Sequence, residues 1–124
     1  MIETALYSRL TTYAPLEALI STRVYAVAPP QDVVLPYCVC SKVSNQRQYS
    51  HDGYSSLQRP RIQVSCFATG YLIAKQIAEQ VIAALESWPG ADNVQAAFME
   101  NEIDLYEQDT KLYHVPVDFL IWMN

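Results

Sequence analysis

The chain has 124 residues, 51% hydrophobic and 17% charged, which fits one domain over 1–124 with its own core and excludes a disordered chain. A net charge of -5 argues against a protein that grips nucleic acid by counterion release, which needs a basic surface. The cysteine count is odd at three, no signal-peptide pattern opens the chain and no apolar run reaches membrane-spanning length; the expectation is a reduced protein of the cytoplasm, or of a particle assembled there, with no membrane partner.

Ile2, Ala5, Leu6, Leu10 and Tyr13 recur at helical spacing and predict an amphipathic first helix. Pro15 breaks or restarts it, with one more turn over 16–20. Arg23 to Val27 is a short β-prone run, and Pro29, Pro30 and Pro36 make 28–35 an irregular connector. The stretch 37–43 alternates as a strand, with Tyr37, Val39, Ser41 and Val43 on one side and Cys38, Cys40 and Lys42 on the other. A second strand closes this hairpin, Ile62, Val64, Cys66 and Ala68 facing one way, with Pro60 at its start. Between them lies a polar tip, 44–58, too long for a tight turn and poor in aliphatic residues. Such an arm is costly to order alone, so it calls for a partner.

Thr69 is the expected N-cap of a helix over 71–88, whose stripe is Ile73, Ile77, Val81, Leu85 and Trp88. Pro89 and Gly90 end it. The segment 94–106 reads as one strand or a broken pair, and 107–111 as a polar turn. The last strand puts Tyr113, Val115, Val117, Phe119 and Ile121 on one face, while Pro116 marks it as an edge strand or a bulged one. The predicted fold is α+β: a mainly antiparallel sheet of four to five strands, two helices on one face and a long extended β-hairpin tip.

No reaction chemistry assembles from these residues. Cys38, Cys40, Cys66 and His51 or His114 lack the spacing of a zinc site. His114 and Asp118 share a strand face but stand about 13 Å apart at strand rise, too far for a base and its orienting group. His51, Asp52 and Gly53 read as a turn, and three glycines cannot form a phosphate cradle. The expectation is no catalytic residue, no metal and no cofactor. Charge is unevenly placed. Lys42, Arg47, Arg59 and Arg61 lie in or beside the tip, and Glu100, Glu102, Asp104, Glu107 and Asp109 crowd a later stretch. Separate patches of opposite sign suit contacts between copies, while solvated strand edges would give the same pattern. Arg47, Tyr49, Tyr54, Arg59 and Arg61 also suit an alternative, a small module that docks a protein or stacks single-stranded nucleic acid.

Taken together, the Leu35-to-Ser44 strand, the Asp52–Gly53 tip, the run Arg59-Pro-Arg-Ile-Gln-Val-Ser-Cys-Phe-Ala, the amphipathic helix and the closing Tyr113-His-Val-Pro-Val-Asp-Phe strand resemble one known family. It is the tail-completion and tail-terminator family of long-tailed bacteriophages. The resemblance runs nearly end to end. It implies a non-enzymatic virion protein forming a homo-oligomeric ring, typically six-fold, that ends the tail tube and joins it to the head connector or head-completion protein. DNA would pass through the channel without specific binding. A closed ring needs two different complementary patches on each copy. The candidates are Lys42, Arg47, Tyr49, His51, Tyr54, Arg59 and Arg61 on one side and Glu100, Glu102, Asp104, Glu107 and Asp109 on the other.

Overall fold

Ile2, Leu6 and Leu10 fall four residues apart, so one stripe of helix α1 (Ile2–Thr12) is buried and the rest faces water. Pro15 opens a separate helix rather than ending the first. It sits in the first turn of α2 (Ala14–Ile20), where its missing donor is not needed. That makes three helices where the sequence led to two. A computed structural model carries these observations; it describes residues 2–50, 53–91 and 93–123, the side chains of 45–57 excepted.

Six strands form one sheet: β1 (Val24–Ala26), β2 (Tyr37–Ser50), β3 (Gly53–Ala68), β4 (Val94–Glu102), β5 (Leu105–Glu107) and β6 (Leu112–Met123). Their order is β1-β2-β3-β6-β4, with β5 also on β6. The strand count exceeds the expected range because 94–106 is indeed a broken pair and because Val24–Ala26 joins the sheet. The β1–β2 pair is parallel, with Val24 opposite Cys38; the other pairs are antiparallel. Val27, at a φ of 69°, turns the chain out of β1 while its N–H donates to the Cys40 carbonyl at 2.8 Å. The backbone of the expected tip is part of the paired strands. Ser44 lies opposite Arg61 and Ser50 opposite Gly53, so β2 and β3 run on well past the 37–43 span.

Helix α3 (Tyr71–Glu86) begins at Gly70, whose extended backbone forms the cap without a side-chain bond; Thr69 does not cap it. Its buried stripe is Ala74, Ile77, Ala78, Val81, Ala84 and Leu85. Ile73, placed in that stripe by periodicity, is 45% exposed, as are its neighbours Tyr71 and Leu72 to similar or greater degree. Tyr71 of this first turn still meets the sheet, edge-on to Tyr113 of β6 at 5.8 Å. Below it the stripe packs into one core with Ile62, Val64 and Cys66 of β3 and Val115, Val117, Phe119 and Ile121 of β6. The helices therefore share one face of the sheet, and Trp88, just past α3, closes the core at 1% exposure.

Pro116 sits on β6, an internal strand, not on an edge. The sheet accommodates it by an interruption. β4 pairs β6 as far as Glu102 opposite Val117, and β5 resumes with Leu105 opposite His114. Ile103 donates its N–H to the Pro116 carbonyl at 3.2 Å, so that side of Pro116 faces the gap, where the absent N–H has no strand to serve. The two sides of the sheet end differently. Among the described residues β4 has no strand beyond it. β1 covers β2 only at Cys38–Cys40, leaving the outer side of β2 without a strand from Lys42 onward.

Candidate functional site: strand edges and charged borders

The sheet face away from the helices carries a row of rings that spans four strands. Tyr25 meets Tyr37 edge-on at 6.0 Å; Tyr37 stacks on Phe67 at 5.0 Å and Phe67 on His114 at 4.2 Å. Register builds this row, because Tyr37 lies opposite Phe67 and Phe67 opposite His114. Lateral stacking buries Tyr37 to 5% exposure and pushes its hydroxyl pKa up, with Glu107 and Tyr25 adding to the shift. His114 is held below its ordinary pKa by burial, and Glu107, 3.6 Å from its Nδ1, opposes that only in part. Its Nε2 is buried without a partner among the described residues. A donor-poor, stacked imidazole of this kind keeps the row in place; it has no orienting carboxylate in hydrogen-bond geometry for base catalysis.

The described residues singled out for assembly fall at four places. Lys42 pairs with Glu3 of α1 at 3.1 Å. The Glu3 carboxyl sits below its usual range through its backbone hydrogen bond and this lysine. Arg61 reaches across β6 to Glu100 of β4 at 2.9 Å, and Arg59 lies over the Trp122 ring at 5.1 Å. With Ser44 and Leu120, Arg59, Arg61 and Glu100 line a shallow polar recess of about 220 Å³. Glu102 and Asp104 turn instead to the helix side, where Lys75 of α3 holds them at 3.2 and 3.0 Å. Tyr71 donates to Asp104 at 2.9 Å, and these bonds keep Asp104 below its usual range and raise Lys75. Glu107 accepts from Thr110 at 2.9 Å, and Asp109 is exposed. His51 lies outside the described residues, as do the side chains of Arg47, Tyr49 and Tyr54.

The basic and acidic groups are thus partly satisfied within one copy, through Arg61–Glu100 and through Lys75 of α3. Its polar position on the helix was visible; that strand 94–102 ends against that helix was not. The ring row was missed for the same reason, since its members alternate correctly but only register joins them. Cys38 and Cys66 are register partners with sulfurs 3.8 Å apart, both buried and free. Among the described residues no three His, Cys, Asp or Glu side chains gather as for a metal ion. No helix is long and apolar enough to cross a membrane.

Fold and surface together define the class: an α+β domain with helices on one sheet face, stacked rings on the other and an uncovered strand edge at each side. A chain from the virion of a native gene transfer agent particle has the same fold, with a TM-score of 0.81 over 98% of this chain and 93% of that one, at 20% identity. No curated protein matches. The family described as Tail completion protein gp17 matches residues 4–124, and the chain belongs to it. It is accordingly a structural tail protein and a component of the virion.

Proposed function

We propose that this protein ends the phage tail as a ring of identical copies, set between the last layer of tube and the head connector, with DNA passing through the middle. The observation that carries the proposal is the family match over 4–124. The surfaces support it. A ring repeats one heterologous contact, which needs two unlike patches on each copy. Here β2 and β3 carry Lys42, Arg47, Arg59 and Arg61, and 100–109 carries five carboxylates, of which Glu100 is paired with Arg61 within the copy. The distal hairpin, 44–58, is the arm that engages a neighbour or the tube. A net charge of -5 suits a channel wall along which DNA must slide without sticking. In this reading the protein catalyses nothing and holds no cofactor.

Native mass measurement and negative-stain microscopy of the full chain, alone and mixed with tail tubes, test the proposal. The expected species is a closed ring whose mass is a multiple of 14.1 kDa and which caps one end of each tube. A protein that stays at 14.1 kDa in both settings, or that binds along the tube wall, overturns it. Protease cleavage within 44–58 is expected to slow on assembly; equal cleavage free and assembled removes the arm from the account.

A further inference from the structure

The two uncovered strand edges sit where a second copy can use both. β2 runs antiparallel to β3, β3 to β6, and β6 to β4, so β4 runs opposite to β2. Register also sets them level: Lys42, Ile62, Phe119 and Met99 form one row across the sheet, and Ser44, Arg61, Leu120 and Phe98 the next. Place two copies side by side with their strands in the same sense. The β4 edge of one then meets the β2 edge of the other at the same height and in antiparallel orientation. By that register residues 94–99 of β4 stand level with residues 42–47 of β2, six on each side, while Asn101 and Glu102 stand level with Ser41 and Cys40. Few single domains leave edges of that length open, because unpaired N–H and C=O groups recruit other chains.

The side chains fit the same contact. Glu100 of β4 stands next to the level of Lys42 of β2, an acidic side chain toward a basic one, each also paired within its own copy, with Arg61 and Glu3. Among the described side chains, the large apolar groups left in water there are Phe98 and Met99, at 54% and 44% exposure, on β4 and Val43, at 58%, on β2. Both edges are also bent. Val43 is an extra residue in β2 against β3, and Gln95 and Glu100 are extra in β4 against β6. Bulges increase local twist, so these edges reject a flat strand and accept one of matching bend.

We propose that copies of this chain join by antiparallel pairing of residues 94–99 of β4 of one with residues 42–47 of β2 in the next, making the sheet continuous from copy to copy. This rests on the ring reading and names the contact that builds the ring. The sheet's twist is taken up by strand tilt as it closes. A tail-tube strand is the competing occupant of either edge.

Phe98→Lys blocks the β4 edge and Val43→Lys the β2 edge, and both positions are exposed enough to leave the fold intact by circular dichroism and melting. With purified full-length chains at up to millimolar concentration, wild type is expected to form rings and each variant to remain at 14.1 kDa. An equimolar mixture retains one good contact, the β4 of V43K on the β2 of F98K, and is expected to stop at pairs. Amides of residues 94–99 are expected to gain exchange protection in the wild-type ring. Variants that close normal rings, or a mixture without pairs, overturn the edge contact and leave the ring standing. Variants that ring normally but lose tube binding assign the edges to the tube and likewise overturn it. A wild type that stays monomeric throughout removes the ring itself, and the contact with it.

Discussion

Truncating Phe119 to alanine tests whether one row of side chains carries the strength of the sheet. Phe119 is fully buried on β6, opposite Ile62 on β3 and Met99 on β4, beneath the α3 stripe. An emptied volume on the order of 100 Å³, at ~24 cal/mol per Å³, costs about 2.4 kcal/mol, and lost transfer energy brings the total to roughly 4 kcal/mol. Domains of this size are stable by about 5–15 kcal/mol, so much of the margin goes. An unfolding entropy of ~2.1 cal/mol/K per residue gives about 260 cal/mol/K over the chain, and roughly 4 kcal/mol then lowers Tm by about 15 °C. The assay is urea unfolding followed by circular dichroism with the slope held as a control, together with a thermal melt. A loss under about 1 kcal/mol at unchanged slope refutes the reasoning, because the site would have to collapse around the missing ring or never have been packed.

Burial depresses His114, so its folded pKa lies below its unfolded one; its contribution is intact above about pH 6.5 and is lost as pH falls through that value toward the folded one. His114→Phe keeps the stack on Phe67 and removes the titration, so its stability relative to wild type is expected to rise from pH 7 to pH 5 in urea titrations, and a constant difference contradicts the assignment. The Cys38 thiol donates to Cys66, and this bond and burial push its pKa well up, while burial raises Cys40. A thiol reagent at pH 8 is therefore expected to label none of the three cysteines in native protein and all three in denaturant; rapid native labelling would show that the core face of β2 is open. Arg61 and Glu100 are 42% and 32% exposed, so a double-mutant cycle with Arg61→Ala and Glu100→Ala is expected to give a coupling of no more than ~1 kcal/mol, shrinking with salt. A larger, salt-insensitive coupling would show the pair to be buried in solution by another chain.

Where the fold rests on local chemistry, residue patterns sufficed to find it. The four-residue spacing of Ile2, Leu6 and Leu10, the alternation of β3 and β6 and the long stripe of α3 each report a face buried by the element itself. Pro15 and Pro116 show the limit. Each was rightly seen as unable to donate, but whether that means a break, a start or an edge depends on what lies beside it. For Pro116 the answer is a gap between two other strands, which only the pairing reveals. The first turn of α3 failed for a related reason: Ile73 continues the periodicity, yet it is 45% exposed, while Tyr71 in the same turn meets Tyr113 of β6. At the surface, charge clusters were legible as clusters. Their pairing was not, since Arg61 meets Glu100 across an intervening strand and Lys75 meets Glu102 across layers. The edges of the sheet lay furthest from view, because an uncovered edge is a property of strand order alone.

Arg9 of α1 donates from Nε to the Ala84 carbonyl at 2.9 Å and from Nη2 to the Ser87 hydroxyl at 2.7 Å, tying the first helix to the open end of α3 across 75 and 78 residues of sequence. During synthesis at roughly 5–20 residues per second, α1 leaves the ribosome about 4–15 s before its partner does. For that interval α1 has only α2, β1 and β2 to pack against, the elements it also touches in the finished fold. Its stripe is therefore covered in part first and joined to α3 later. A clamp that closes so much chain at once also ties the completeness of the helical layer to the arrival of α3, so a nascent chain stalled before residue 84 has α1 covered only in part.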